Sequence, residues 1–193
     1  MRDAESEDVD AANLRDIASG HAHALGEFYD RHAGAVYGLA VRILGDASEA
    51  EEVVQDVFVQ VWRQARTYDR SRASARGWLL MMARSRAIDR IRAMNARPRT
   101  HRASAGEVEL SRLVDGRPAQ DATLIDRESV GRIKAAMSDL PEAMRTALEL
   151  AYYQGLTQSA IAEKLGEPLG TIKTRMRTAL TRLRAALGPA EGA

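Results

Sequence analysis

The sequence predicts an all-α fold of two small helical domains joined by a flexible linker. Three observations carry that prediction. Ala, Leu, Arg and Glu dominate while aromatics make up only 5% of the 193 residues, so local preference favours helix almost throughout. Apolar residues recur at three- and four-residue steps instead of alternating. Between Ala96 and Asp121 two prolines, two glycines and mixed charge interrupt every pattern, which divides the chain in two.

Taken in order, residues 1–20 read as an acidic N-terminal tail. Its opening "MRDAESEDVDAANL" is acidic where a signal peptide is basic and then apolar, and no apolar run approaches a membrane span, so the chain is expected in the cytoplasm with no membrane insertion. The first lobe covers residues 21–95. Leu25, Phe28, Tyr29, His32, Val36, Leu39, Ala40, Ile43 and Leu44 predict a helix from Leu25 to about Gly45. Gly45-Asp46 breaks it, and early acids Glu49, Glu51 and Glu52 suit the positive start of a second helix whose inner face is Val53, Val54, Val57, Phe58, Val61 and Trp62. The stretch 66–76, "RTYDRSRASAR", lacks periodicity and reads as a loop. A third helix spans Gly77 to Asn95, with Leu80, Met81, Ala87, Ile88 and Ile91 as its core stripe and Trp78, Met82, Ser85, Asp89 and Arg92 on another line.

Residues 96–121 form the linker, with room for a short turn near Val108 to Leu113, and the second lobe covers 122–188 before a C-terminal tail at 189–193. One helix is expected from Ala122 to Met137 and another from Pro141 to Tyr153, with Pro141 in its first turn. In "TQSAIAEKLGEPLGTI", Ala162 is small enough for two helices to cross closely, Gly166 suits a left-handed turn, and Ile172 closes a small core with Ile161 and Leu165. Thr157 fits an N-cap. On the last helix Ile172, Met176, Ala179, Leu180, Leu183 and Leu187 form a buried stripe. Thr171, Thr174, Arg177 and Thr178 fall away from it, with Lys173 and Arg175 on its shoulders. A leading end of hydroxyls and cations suits a major groove, so this is a helix-turn-helix that reads duplex DNA.

Charge is segregated, although the formal net charge is only +1. Residues 1–60 hold 13 acids against four bases, while residues 61–100 hold 11 arginines against Asp69 and Asp89. Opposite blocks on adjacent helices suggest two different partners. The absence of cysteine excludes disulfides, thiolate metal sites and a redox-sensing thiol. His21 and His23 have no accompanying carboxylate pair or nucleophile, so neither an enzyme nor a metal site is expected.

Three blocks, "LGEFYDRHAGAVYGLAVRILGDASEAEEVVQDVFVQVWRQARTYD", "WLLMMARSRAIDRIR" and "LPEAMRTALELAYYQGLTQSAIAEKLGEPLGTIKTRMRTALTRLR", in that order and spacing, resemble an extracytoplasmic-function sigma factor of the sigma-70 family. The resemblance implies that the first lobe is region 2 and the second region 4. It further implies a promoter-specificity subunit that binds core RNA polymerase, catalyses nothing, and needs neither cofactor nor small-molecule substrate. By the same resemblance Glu51, Glu52, Gln55, Asp56, Val59 and Trp62 would dock on the clamp coiled coil of the largest polymerase subunit. The loop from Thr67 and the helix after it would hold a melted −10 element through Tyr68, Trp78, Arg84, Ser85, Arg86, Asp89, Arg90 and Arg92, in keeping with the cations and planar groups that single strands favour. Trp78 is equally compatible with the core of the lobe. Many family members have Asn where Ser85 stands.

The resemblance also assigns a duplex −35 element to Thr171, Lys173, Thr174, Arg175, Arg177 and Thr178. A hydrophobic pocket between "LELAYYQG" and the final helix would meet the flap of the second-largest subunit. The 26 linker residues stretch to about 90 Å at most, which matches elements about 25 base pairs, or roughly 85 Å, apart. An anti-sigma factor that clamps both lobes is the expected regulator. The alternative is a helix-turn-helix regulator that acts independently of core polymerase as a dimer on duplex DNA.

Overall fold

Residues 2–96 and 124–188 are described in the computed structural model of the chain. They contain eight α-helices and no strand, in two compact units that divide between residues 122 and 123. Most of the expected linker, the turn near residues 108–113 and the tail at 189–193 lie outside the described residues.

The first unit holds α1 (Arg2–Ala18), α2 (Ala22–Leu44), α3 (Ala47–Gln64), a 3-10 turn (Ala65–Thr67) and α4 (Ala75–Ala96). Gly45 ends α2 at φ 68°, a left-handed conformation that glycine adopts without a Cβ penalty, and its N–H returns to the Val41 carbonyl. Asp46 then caps α3, its carboxylate accepting from the Glu49 N–H at 3.0 Å. Phe28, Val36 and Ala40 of α2 and Val53, Val57, Phe58 and Val61 of α3 are buried, with the Phe28 and Phe58 rings edge-on at 6.4 Å, while Tyr29 is exposed.

Three expectations for this unit are corrected. Residues 2–18 are a helix docked on the bundle, not a tail. Leu14 and Ile17 are buried together with Ala11, and burying two such side chains is worth about 3–6 kcal/mol, enough to hold a short helix in place. Trp62 lies outside the inner face of α3, 40% exposed. On α4 the two methionines exchange places: Met82 is buried with Ala75, Leu79, Ala83, Ala87 and Ile88, whereas Met81 is 67% exposed and Leu80 only half-buried. Alanines at 75, 83 and 87 let α4 approach its neighbours closely, and that small-residue track fixes the helix phase.

The second unit comprises α5 (Leu124–Ser138), α6 (Glu142–Tyr153), α7 (Gln158–Leu165) and α8 (Leu169–Leu187). Pro141 stands at the N-cap of α6, one residue before its first turn. Ala147, Leu150, Ile161, Ala162 and Ile172 make one apolar cluster and Leu140, Leu148 and Ala179 a second, with Met176 packed against both. Leu180 leaves the expected stripe. It is 46% exposed, because Ala179, one residue earlier, takes the position against α6 and α5.

Candidate nucleic-acid interface

Positions 51, 55, 59 and 62, together with 52 and 56, recur at three- and four-residue spacing on α3, opposite the valine face. All six side chains, Glu51, Glu52, Gln55, Asp56, Val59 and Trp62, are exposed, so the helix presents an acidic ridge carrying one valine and one tryptophan. Acids occupy its N-terminal part and the two apolar side chains its C-terminal end.

The α4 arginines divide between two surfaces. Arg86 donates to the Gln60 side chain at 2.7 Å and Arg90 is paired with Glu49, both partners lying on α3. The Glu49 carboxylate raises the Arg90 pKa further above its ordinary value. Away from α3, Trp78, Met81, Ser85, Asp89 and Arg92 line up at helical spacing, with Arg84 half-buried on a flank and Arg92 3.4 Å from Asp89. Trp78 is half-buried with its ring 5.5 Å from that of Tyr68, so it belongs to neither the buried cluster nor open solvent.

The preceding loop is shaped by its own hydrogen bonds. Asp69 accepts from the Ser71 hydroxyl at 2.7 Å and the Ser71 N–H at 2.9 Å, and these bonds hold its carboxyl below the usual range. Ser74 starts α4, its hydroxyl accepting from the Gly77 N–H and its carbonyl from the Trp78 N–H. Residues of α1 also reach this loop. Glu7 accepts from the Tyr68 hydroxyl at 3.1 Å and from the Ala75 N–H at 2.7 Å, and Asp8 pairs with Arg70 at 2.6 Å. Sequence reasoning missed these acids; their one local signal was spacing compatible with the buried Ala11 and Leu14 on the same helix.

Deeper in the unit, Asp10 of α1 is buried and takes the His32 ring nitrogen at 2.8 Å and the Arg31 guanidinium at 3.0 Å. Burial lowers the Arg76 pKa, which the Asp10 charge partly offsets. Buried Asn13 donates to the Ala24 carbonyl and to Glu27. Expected surface residues His21 and His23 are exposed, ring centroids 5.8 Å apart.

In the second unit the turn between α7 and α8 has the expected parts. The Thr157 hydroxyl accepts from the Ala160 N–H at 3.2 Å, Gly166 is left-handed at φ 65°, and the Glu167 N–H returns to the Ala162 carbonyl at 3.0 Å. Pro168 then precedes α8, its carbonyl accepting from the Thr171 and Ile172 N–H groups. Thr171, Lys173, Thr174 and Arg177 are exposed, and Thr178 is half-buried. Arg175 differs: its guanidinium forms a two-pronged pair with Glu167 at 2.8 and 2.5 Å and is mostly covered. Lys173, Arg177 and Arg184 line an open groove together with Gln158, Met176, Leu180 and Thr181. Of the stretch expected to meet the polymerase flap, Leu148 and Leu150 are buried in the two clusters, and Tyr152 is exposed at the end of α6.

The family model of sigma-70 region 2 matches residues 28–97, and that of sigma-70 region 4 matches residues 136–185. The SigK ECF RNA polymerase sigma factor of Mycolicibacterium vanbaalenii is 40% identical over 179 residues, 93% of this chain and 89% of that protein. SigK of Mycobacterium ulcerans is 41% identical over 180 residues, 93% of each chain. Among solved structures, SigE of Rhodobacter sphaeroides in complex with the anti-sigma ChrR is 32% identical, with 93% of this chain and 98% of that one covered at a TM-score of 0.47. The two family matches and the similarity to the SigK proteins support the sigma-factor expectation and not the polymerase-independent regulator.

Proposed function

Because the chain belongs to the extracytoplasmic-function sigma factors of the sigma-70 family, we propose that it joins core RNA polymerase and directs it to promoters through three separate surfaces. The acidic ridge of α3 docks on the clamp coiled coil of the largest subunit, with Val59 and Trp62 as apolar anchors among Glu51, Glu52, Gln55 and Asp56. Along α4 and its loop, Tyr68, Trp78, Arg84, Ser85, Asp89 and Arg92 hold the melted −10 strand. Aromatic faces there take bases and arginines take phosphates.

Region 4 reads the −35 duplex through Thr171, Lys173, Thr174, Arg177 and Thr178, from a helix end whose cations suit phosphates and guanine edges. Arg86, bonded to Gln60, and Arg90 and Arg175, each paired with a glutamate, brace these surfaces. Tyr152, at the end of α6, lies where the second-largest subunit's flap would approach. The protein catalyses no reaction itself, works in the cytoplasm beside the polymerase, and is restrained by an anti-sigma factor that covers these same surfaces.

One observation carries this reading: a region 2 match and a region 4 match follow one another in one chain that is about 40% identical to ECF sigma factors over 93% of its length. Run-off transcription by core polymerase on genomic fragments tests it. Discrete transcripts that appear only when the protein is added are the expected result, and transcription that is identical without it refutes the proposal.

A further inference from the structure

The −10 surface assigned to α4 is built from two pieces that are not continuous in structure: the loop carrying Tyr68, and the start of α4 carrying Trp78. A single strand threaded across both would find its binding groups only if the loop were held at a fixed distance from the helix. Local hydrogen bonds do not do this: Asp69 bonds to Ser71 and Arg72 within the loop, and Ser74 caps its own helix. The group that spans the gap comes from elsewhere. Oε1 of Glu7, on α1, accepts from the Tyr68 hydroxyl at one end of the loop and from the Ala75 N–H at the other.

We propose that Glu7 is a positioning residue for −10 recognition: its carboxylate pins Tyr68 to the first turn of α4 and thereby holds the Tyr68 and Trp78 rings side by side. The inference rests on the reading of α4 as the −10 surface. Chemistry suits the role. An anion at the start of a helix meets uncompensated N–H groups and the positive end of the helix dipole, and a phenol donates a strong bond to a carboxylate. Burial first, and then the Glu7 charge and hydrogen bond, push the Tyr68 pKa up to about 12, so the phenol keeps the proton it donates at any physiological pH. The rest of α1 supplies rigidity. Buried Leu14 and Ile17, the Asp10 bonds to Arg31 and His32, and the Arg66 guanidinium donating to the Ala18 carbonyl at 2.9 Å fix the helix that carries Glu7.

A positioning role separates from a general loss of fold by which function fails. The probe is a fluorescent single-stranded DNA carrying the nontemplate −10 strand of a promoter found by run-off transcription, bound to holoenzyme. Glu7→Ala is expected to weaken that binding about tenfold and to speed hydrogen exchange at the Ala75 amide at least tenfold, while core-polymerase affinity and −35 duplex affinity stay within twofold of wild type. Glu7→Gln, which keeps an acceptor oxygen, is expected to restore the strand affinity to within about threefold. Tyr68→Phe removes one of the two bonds without threatening the fold and is expected to weaken strand binding about threefold. Wild-type strand binding by Glu7→Ala, or a parallel loss of polymerase affinity that Tyr68→Phe does not share, would overturn the proposal. If wild-type holoenzyme itself does not distinguish the −10 strand from a scrambled one, it is the reading of α4 that fails.

Discussion

The two units of the chain achieve rigidity by different means. The first combines an apolar core with polar groups contributed by α1: buried Asp10 with His32 and Arg31, buried Asn13 with the Ala24 carbonyl, and half-buried Glu7 across the loop before α4. The second has two small apolar clusters joined through Met176, one buried acid, Glu149, on α6, and the Arg175–Glu167 pair at the turn. The difference suits the two surfaces proposed above. A helix-turn-helix reads DNA from one helix, whose straightness comes with its backbone hydrogen bonds, so fixing the turn is enough. A surface assembled from a loop and a helix has no such guarantee, and directional polar bonds supply the missing constraint.

Breaking the two kinds of brace should therefore have unequal consequences. Asp10→Ala leaves His32 and Arg31 without their acceptor in a buried place and should cost about 3 kcal/mol, at the lower end for a broken buried pair because Arg31 is a third exposed. Denaturant unfolding followed by amide exchange should show the loss in residues 5–96 and none in α6 to α8; an equal loss in both units would contradict separate bracing.

Arg177→Ala, in contrast, removes a solvent-facing cation. It should leave stability within about 0.5 kcal/mol while weakening −35 binding by about 1–3 kcal/mol and flattening its salt dependence, measured by fluorescence anisotropy at several ionic strengths. Arg175→Ala should do the reverse, lowering region 4 stability by about 1 kcal/mol, since its partner Glu167 is about a third exposed. Smallest is a pH effect. The Tyr68 phenol titrates near 10 when unfolded and near 12 in the fold, so its contribution is complete below pH 10 and is lost as pH rises from 10 to 12. NMR of the Ala75 amide across that window should show its protection fall; protection unchanged up to pH 12 would mean that Tyr68 does not hold the loop.

Legibility in the sequence tracked the size and spacing of the residues. Phe28, Val36, Val53, Val57 and Val61 left one possible phase for α2 and α3, and Gly166 and Thr157 marked the turn by requirements that few residues satisfy. On α4 the run "WLLMMA" offered several equivalent phases, and the alanines that decide between them carry little weight in a hydrophobic pattern. Leu180 was misplaced for a related reason, its neighbour Ala179 being the better fit to a close contact. In α1 six acids stand against three large apolar residues, Val9, Leu14 and Ile17, so a docked helix resembled a charged tail, although Leu14 and Ile17 lie at helical spacing. The Glu7 clamp and the Arg90 pair join residues 68 and 41 positions apart, and no local pattern encodes such contacts.

The separation of surfaces is tested most directly by the affinity of core RNA polymerase for Glu52→Lys and Arg177→Ala measured side by side. The charge reversal on the acidic ridge should weaken polymerase binding at least tenfold, while Arg177→Ala binds like wild type. Equal affinity for all three proteins, or a loss confined to Arg177→Ala, would contradict the assignment of α3 to the polymerase and α8 to DNA.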